Sequence, residues 1–222
     1  IKDNRPLISI DCEKDRPPYM QKLLGFCNVI FTNETFPVKT ELCRENDSDK
    51  SHKYGLRASD TGMERIPLLD ETLRGMMRIL QFGNSDMVIT SLGAMGSLLL
   101  RETLKETADG SSDEYFCGFP CSEPVKELRF VKLVDPKDDE KGSEEYNKEF
   151  LVLYCPAYPL HQEEVVDTTG AGDAYIGGFL SSYCCDPTNF ADAMILGTLT
   201  AAKKIMMSGA RDGLPRGLES LA

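Results

Sequence analysis

One stretch of this sequence combines residue types that could transfer a phosphoryl group. From Val165 to Phe179 it reads Val-Val-Asp-Thr-Thr-Gly-Ala-Gly-Asp-Ala-Tyr-Ile-Gly-Gly-Phe. That is a β-branched run, then a turn of small residues, then a helix whose first turn holds Asp173. Such a turn presents unpaired backbone N–H groups at a helix N-terminus, where they and the helix dipole favour an anion such as phosphate. Glycines at 170 and 172 let the backbone approach that anion closely. A carboxylate would repel a resting phosphate, so Asp173 makes sense there as a base that takes the proton of an attacking hydroxyl. The plainer alternative is that Asp173 only complements the helix dipole, an effect of about 0.3–1 kcal/mol. Gly177 and Gly178 leave a slim helix face against which a neighbour could pack. Other phosphate motifs fail. There is no P-loop, Tyr175 stands where a dinucleotide fingerprint needs glycine, and the protein-kinase signatures are missing.

The elements that must position this turn are legible around it. Leu7–Ile10 reads as a short buried strand, and a helix is expected around Met20–Phe26 after Pro17-Pro18. Val29–Thr32 is β-branched and aromatic, the composition of a strand. Leu73, Met76, Met77 and Leu80 recur at helical spacing, and Asp70-Glu71 suit the start of that helix. Met87–Thr90 is a third strand, and Ser97–Leu100 reads as its hairpin partner across Ser91–Gly96. Strand, helix, strand, helix, strand predicts a parallel sheet with crossover helices. Leu128–Val134 and Phe150–Tyr154 are strand-like, while residues 43–60, 105–113 and 135–149 are polar and predict loops. From Gly170 to Met207 the pattern is two helices separated near Asp186-Pro187.

Composition narrows the class. The chain has 222 residues, enough for one large domain or two small ones, and 41% of them are hydrophobic. Its net charge of −11 disfavours non-specific binding to nucleic acid or anionic lipid. The longest apolar run, Phe150–Cys155, is far short of the ~20 residues that span a bilayer. Eight cysteines are irregularly spaced, with no Cys-x-x-Cys and no His52 or His161 at ligand spacing. They are expected to be reduced thiols of a cytoplasmic protein.

The pattern from Asp167 to Phe179 closely resembles the second signature of the ribokinase-like (PfkB) carbohydrate kinases. Asn33-Glu34, Ser91-Leu-Gly-Ala-Met-Gly96 and Ser208-Gly-Ala-Arg-Asp-Gly-Leu-Pro215 follow in the family's order. The resemblance covers nearly the whole chain and is weakest over residues 105–150. Leu7–Lys14 and Lys203-Lys204 resemble the ketohexokinase-like branch. The resemblance implies an α/β, three-layer ribokinase-like fold with a mainly parallel central sheet. Residues 1–222 would be the nucleotide-binding, C-terminal two-thirds of a single domain, with the N-terminal part and its lid missing, and 135–149 an acidic exposed loop.

By that resemblance Asp173 is the catalytic base, and the amides of Gly170, Ala171 and Gly172 form an anion hole for the transferring phosphoryl group. Asn33, Ser91, Gly93 and Gly96 would serve the nucleotide, although Ser91–Gly96 alone could be an ordinary hairpin turn. Asp167 and Thr169, with carbonyls near Lys204, Met207, Gly209 and Gly213, would hold a monovalent cation. The alternative for Asp167 is a turn-capping aspartate. One departure is plain: many members carry Asn-x-x-Glu for Mg²⁺, and here Phe36 takes the place of the glutamate. The implied cofactors are ATP and Mg²⁺, with K⁺ as an optional activator. The implied partner is a sugar or nucleoside, not a membrane or nucleic acid, and a homodimer is compatible with the reading. The activity expected is ATP-dependent phosphorylation of a sugar hydroxyl. The alternatives are a nucleoside kinase and a non-catalytic nucleotide-binding pseudokinase.

Overall fold

Short runs of β-branched and apolar residues build one six-stranded sheet in the order β1-β2-β3-β4-β6-β5. The strands are β1 (Ser9–Cys12), β2 (Val29–Asn33), β3 (Met87–Ser91), β4 (Ser97–Thr103), β5 (Lys126–Leu133) and β6 (Lys148–Cys155). The computed structural model describes residues 6–14, 16, 19–40, 66, 68–82, 85–103, 126–133 and 148–216, with backbone alone for Phe82, Thr103, 126–133, Lys148 and Glu149. β1, β2 and β3 are parallel, as expected. The Leu92–Gly96 connection is too short for a crossover helix, so β4 returns antiparallel to β3. β6 is antiparallel to β4 and β5 to β6. β1, β2, β3 and β6 therefore run one way and β4 and β5 the other. The sheet is mainly parallel in strand direction, while every ladder beyond β3 is antiparallel.

Helices cover both faces. α1 (Met20–Leu24), α2 (Phe36–Lys39) and α3 (Leu69–Phe82) contribute Leu24, Phe36, Leu73 and Met76 to one core, with Ile30 and Val88 from the strands. α4 (Ala171–Cys185) and α5 (Phe190–Ile205) close the other face, where Phe179, Met194 and Leu199 meet Phe31 and Ile89. Strand side chains alternate between faces, which is why Ile30 and Phe31 fall in different cores. Cover on both sides also explains why β2 and β3 read as continuous apolar runs. β1 differs from its expectation of burial. Leu7 and Ile8 are 38% and 42% exposed, and within the strand only Cys12 is buried. Among the described residues β1 is the outermost strand, so it lacks a neighbour on one side.

α4 and α5 pack closely because of one glycine pair. A Cβ on Gly178 would sit 2.6 Å from the Thr200 hydroxyl, and one on Gly197 would sit 2.9 Å from the Tyr175 carbonyl oxygen. Gly177 instead faces open space, so only Gly178 uses the slim face anticipated for both. α4 ends where the Asp186 carboxylate accepts the Thr188 N–H at 3.0 Å, and Asn189 caps α5 by accepting the Asp192 N–H at 3.1 Å.

No disulfide joins the described cysteines, of which Cys12, Cys27 and Cys155 are buried and Cys184 and Cys185 exposed; the other three cysteines lie outside the described residues. So do the expected loops at 43–60 and 105–113. Most of the expected loop at 135–149 does too, but Lys148 and Glu149 open β6. Among the described residues no helix is long and apolar enough to cross a membrane.

Candidate active site

The strands that run in the common direction bring their C-terminal ends to one edge of the sheet, where ligands of open α/β folds bind. The start of α4 lies at that edge. Gly170 is the residue before the helix and has φ 78°, the left-handed region open to glycine. The Ala171 N–H is engaged by the Thr168 carbonyl at 3.1 Å. That leaves the N–H groups of Gly170 and Gly172 without a hydrogen-bond partner among the described residues. A Cβ on Gly172 would meet nothing within 4 Å, so the space in front of that amide is open.

Two cavities flank this helix start. The larger, about 490 Å³, is bounded by Gly170, Asp173, Gly177, Thr200, Ala210 and Leu214. Its size is that of a small-molecule site, roughly 300–1,000 Å³. The smaller, about 40 Å³, lies among Asp11, Glu13, Asn33, Ser91, Gly172 and Tyr175. The fold thus brings Asp173, Gly170, Gly172, Asn33 and Ser91 to one region. Gly93 and Gly96 border neither cavity. They form the tight β3–β4 turn, with φ 59° and 102°, and a Cβ on Gly96 would collide with the Cys155 carbonyl.

Asn33 is held by the protein itself. Its side-chain oxygen accepts the N–H groups of Thr35 at 3.2 Å and Phe36 at 2.9 Å, and its amide donates to the Glu13 carbonyl at 3.2 Å. Phe36 is 3% exposed and belongs to the core under α2 and α3, a place where a glutamate would be buried unpaired. Glu34 is exposed in the turn that follows β2. Tyr175 is buried and donates to the Ser97 hydroxyl at 2.8 Å; burial pushes its pKa far up.

Asp11 is the residue that sequence reasoning missed. Burial, and then the charges of Glu13 and Asp173, raise its pKa. Its signal was its place near the C-terminal end of a parallel strand, the position where such folds carry function. Three negative groups at this edge are an electrostatic match for an arriving cation, although no cluster of three His, Cys, Asp or Glu among the described residues is placed to hold a metal by itself.

The monovalent-cation assignment of Asp167 and Thr169 does not fit. The Asp167 carbonyl accepts the Lys204 ammonium at 2.6 Å. Its carboxylate accepts the Thr169 N–H at 2.9 Å and the Gly209 N–H at 2.8 Å. These bonds, Thr169 foremost, hold its pKa down to about 2. Asp167 is the turn-capping residue, and a K⁺ using its carbonyl would have to displace an ammonium already there.

The geometry is that of a three-layer α/β protein with ligand cavities around a glycine-rich helix start. Residues 153–216 match the pfkB family carbohydrate kinase model. Fifty-six residues are 48% identical to an uncharacterized sugar kinase of Archaeoglobus fulgidus, covering 25% of this chain and 22% of that protein. Fifty-three residues are 48% identical to the cytidine kinase of Thermococcus kodakarensis, covering 24% of this chain and 18% of that protein. The ribokinase of Arabidopsis thaliana, solved with ribose and ATP, shares the fold with a TM-score of 0.54 at 17% identity, over 97% of this chain and 46% of that one. The chain thus shares the fold of that ribokinase and, over residues 153–216, is similar to the pfkB carbohydrate kinases; it spans less than half the length of the ribokinase and about a fifth of the two kinases it matches in sequence.

Proposed function

We propose that the protein containing this chain transfers the γ-phosphoryl group of ATP to a hydroxyl of a small molecule, a sugar first. The observation that carries this reading is the start of α4, where two unpaired amides and Asp173 face cavities within the pfkB-like segment. The acceptor hydroxyl attacks the γ-phosphorus in line, its proton passes to the Asp173 carboxylate, and ADP leaves. The Gly170 and Gly172 amides stabilise charge on the transferring group. The larger cavity is the proposed nucleotide site. Mg²⁺ arrives with ATP, and Asp11 and Glu13 are the carboxylates of this chain whose charge it would offset. The exposed thiols of Cys184 and Cys185 support a reducing compartment, the cytoplasm.

A second reading, phosphorylation of a nucleoside, is supported by the similarity to the cytidine kinase. One experiment separates these: ATP consumption by the full-length protein with Mg²⁺ across sugars and nucleosides, beside Asp173→Asn. Turnover with one acceptor class, reduced roughly 10²–10⁴-fold in the variant, is expected. ATP binding without turnover on any acceptor would replace the kinase with a non-catalytic nucleotide-binding protein.

A further inference from the structure

Lys204 is a lysine with no exposed surface, at 0%. Burying an ammonium is costly unless oxygen ligands replace its water, so its partner identifies its role. That partner is the Asp167 carbonyl, 2.6 Å from Nζ, beside an Asp167 carboxylate that stays ionised far into the acid range. Asp167 in turn grips Gly209 in the loop after α5 and Thr169 in the turn before α4. The loop lies against both elements: a Cβ on Gly213 would be 2.6 Å from the Lys204 carbonyl oxygen, and one on Gly170 3.2 Å from that of Ala210. A displacement of the Asp167 backbone would therefore be passed within three residues to the Gly170 amide. The C-terminal end of α5, where Lys204 sits, also favours a positive charge through the helix dipole.

We propose that Lys204 is a tethered monovalent cation, which takes the place beside Asp167 that the family resemblance gives to K⁺ and so positions the Gly170–Asp173 turn without a soluble ion. An ammonium and K⁺ are close in size and both are satisfied by carbonyl oxygens, so one can stand for the other. Lys204 touches no reacting group; it is a positioning residue. The inference rests on the reading of the α4 start as a phosphate site.

The test compares full-length wild type with Lys204→Met in buffers of equal ionic strength, made with K⁺ or with N-methylglucamine. MgADP affinity and melting temperature are the readouts. Wild type is expected to be the same in both buffers. Lys204→Met should bind MgADP roughly tenfold more weakly without K⁺, and added K⁺ or ammonium should restore the affinity, which a merely structural role would not do. K⁺-specific strengthening of the wild type overturns the proposal, as does unchanged affinity of Lys204→Met without K⁺, or a loss that neither ion restores. If Lys204→Met does not fold, the wild-type comparison still decides, and Lys204→Arg should retain cation independence. Wild type that binds no MgADP overturns both this proposal and the kinase. MgADP binding independent of K⁺ but without turnover on any acceptor removes the kinase and leaves Lys204 its role.

Discussion

At the first turn of α4 an exposed carboxylate and two unpaired amides share a few ångströms of backbone, and single substitutions can separate their roles. Gly172 is the sharpest case. A methyl group there meets nothing in the protein, and replacing a helical glycine with alanine commonly stabilises by about 0.4–1 kcal/mol. Gly172→Ala should melt at or above the wild-type temperature yet lose at least roughly tenfold in kcat/KM, because the methyl occupies the anion's approach. Wild-type turnover in that variant would remove the Gly172 amide from the mechanism. Asp167 makes a prediction in pH. Its folded pKa, about 2, lies below its ordinary 3.8. Its contribution is thus fully present above about pH 4 and is lost as pH falls through the folded value. Urea midpoints of wild type and Asp167→Asn should differ by a constant amount near neutral pH and converge between about pH 4 and 2. A gap that persists unchanged to pH 2 would refute the assignment of that carboxylate as the turn's anchor.

For the helices, the deciding feature is how closely α4 approaches α5. Gly178 sits where any side chain would press on Thr200 and Leu196, whereas Gly177 faces open space beside the larger cavity. Gly178→Ala should cost roughly 1–3 kcal/mol by overpacking, or about 2–4 °C in Tm for each kcal/mol in a chain of this size. Gly177→Ala should leave Tm unchanged or raise it. Thermal melts of the two variants side by side check this, and equal losses in both would contradict the observed helix contact. The sequence made the helix and its glycines plain, because helical spacing and small residues are local features. It did not tell the two glycines apart, since that depends on which way α5 crosses. In the same way Phe36 looked like a lost glutamate from its spacing alone. Only the packing of α2 shows that the position faces a core.

The described residues form a sheet clasped between two helical layers, with two cavities at one edge. A nucleotide that binds only the folded chain must raise its stability by mass action. MgATP at a hundredfold excess over its Kd should contribute about 2.7 kcal/mol, readable as an upward shift in Tm. No shift at saturating MgATP would argue against a nucleotide site. By itself the sequence determined what lies close along the chain: the strand runs, the glycine-rich turn, Asp173 in the first turn of its helix, and a net charge of −11. Backbone preference, side-chain periodicity and net charge need no tertiary partner. Tertiary structure alone placed Asp11 in the field of Asp173 and Lys204 on the carbonyl of Asp167, and kept Gly93 and Gly96 away from the cavities. Those outcomes follow from strand order and helix crossing, which join residues far apart in the chain and leave no periodic trace in its sequence.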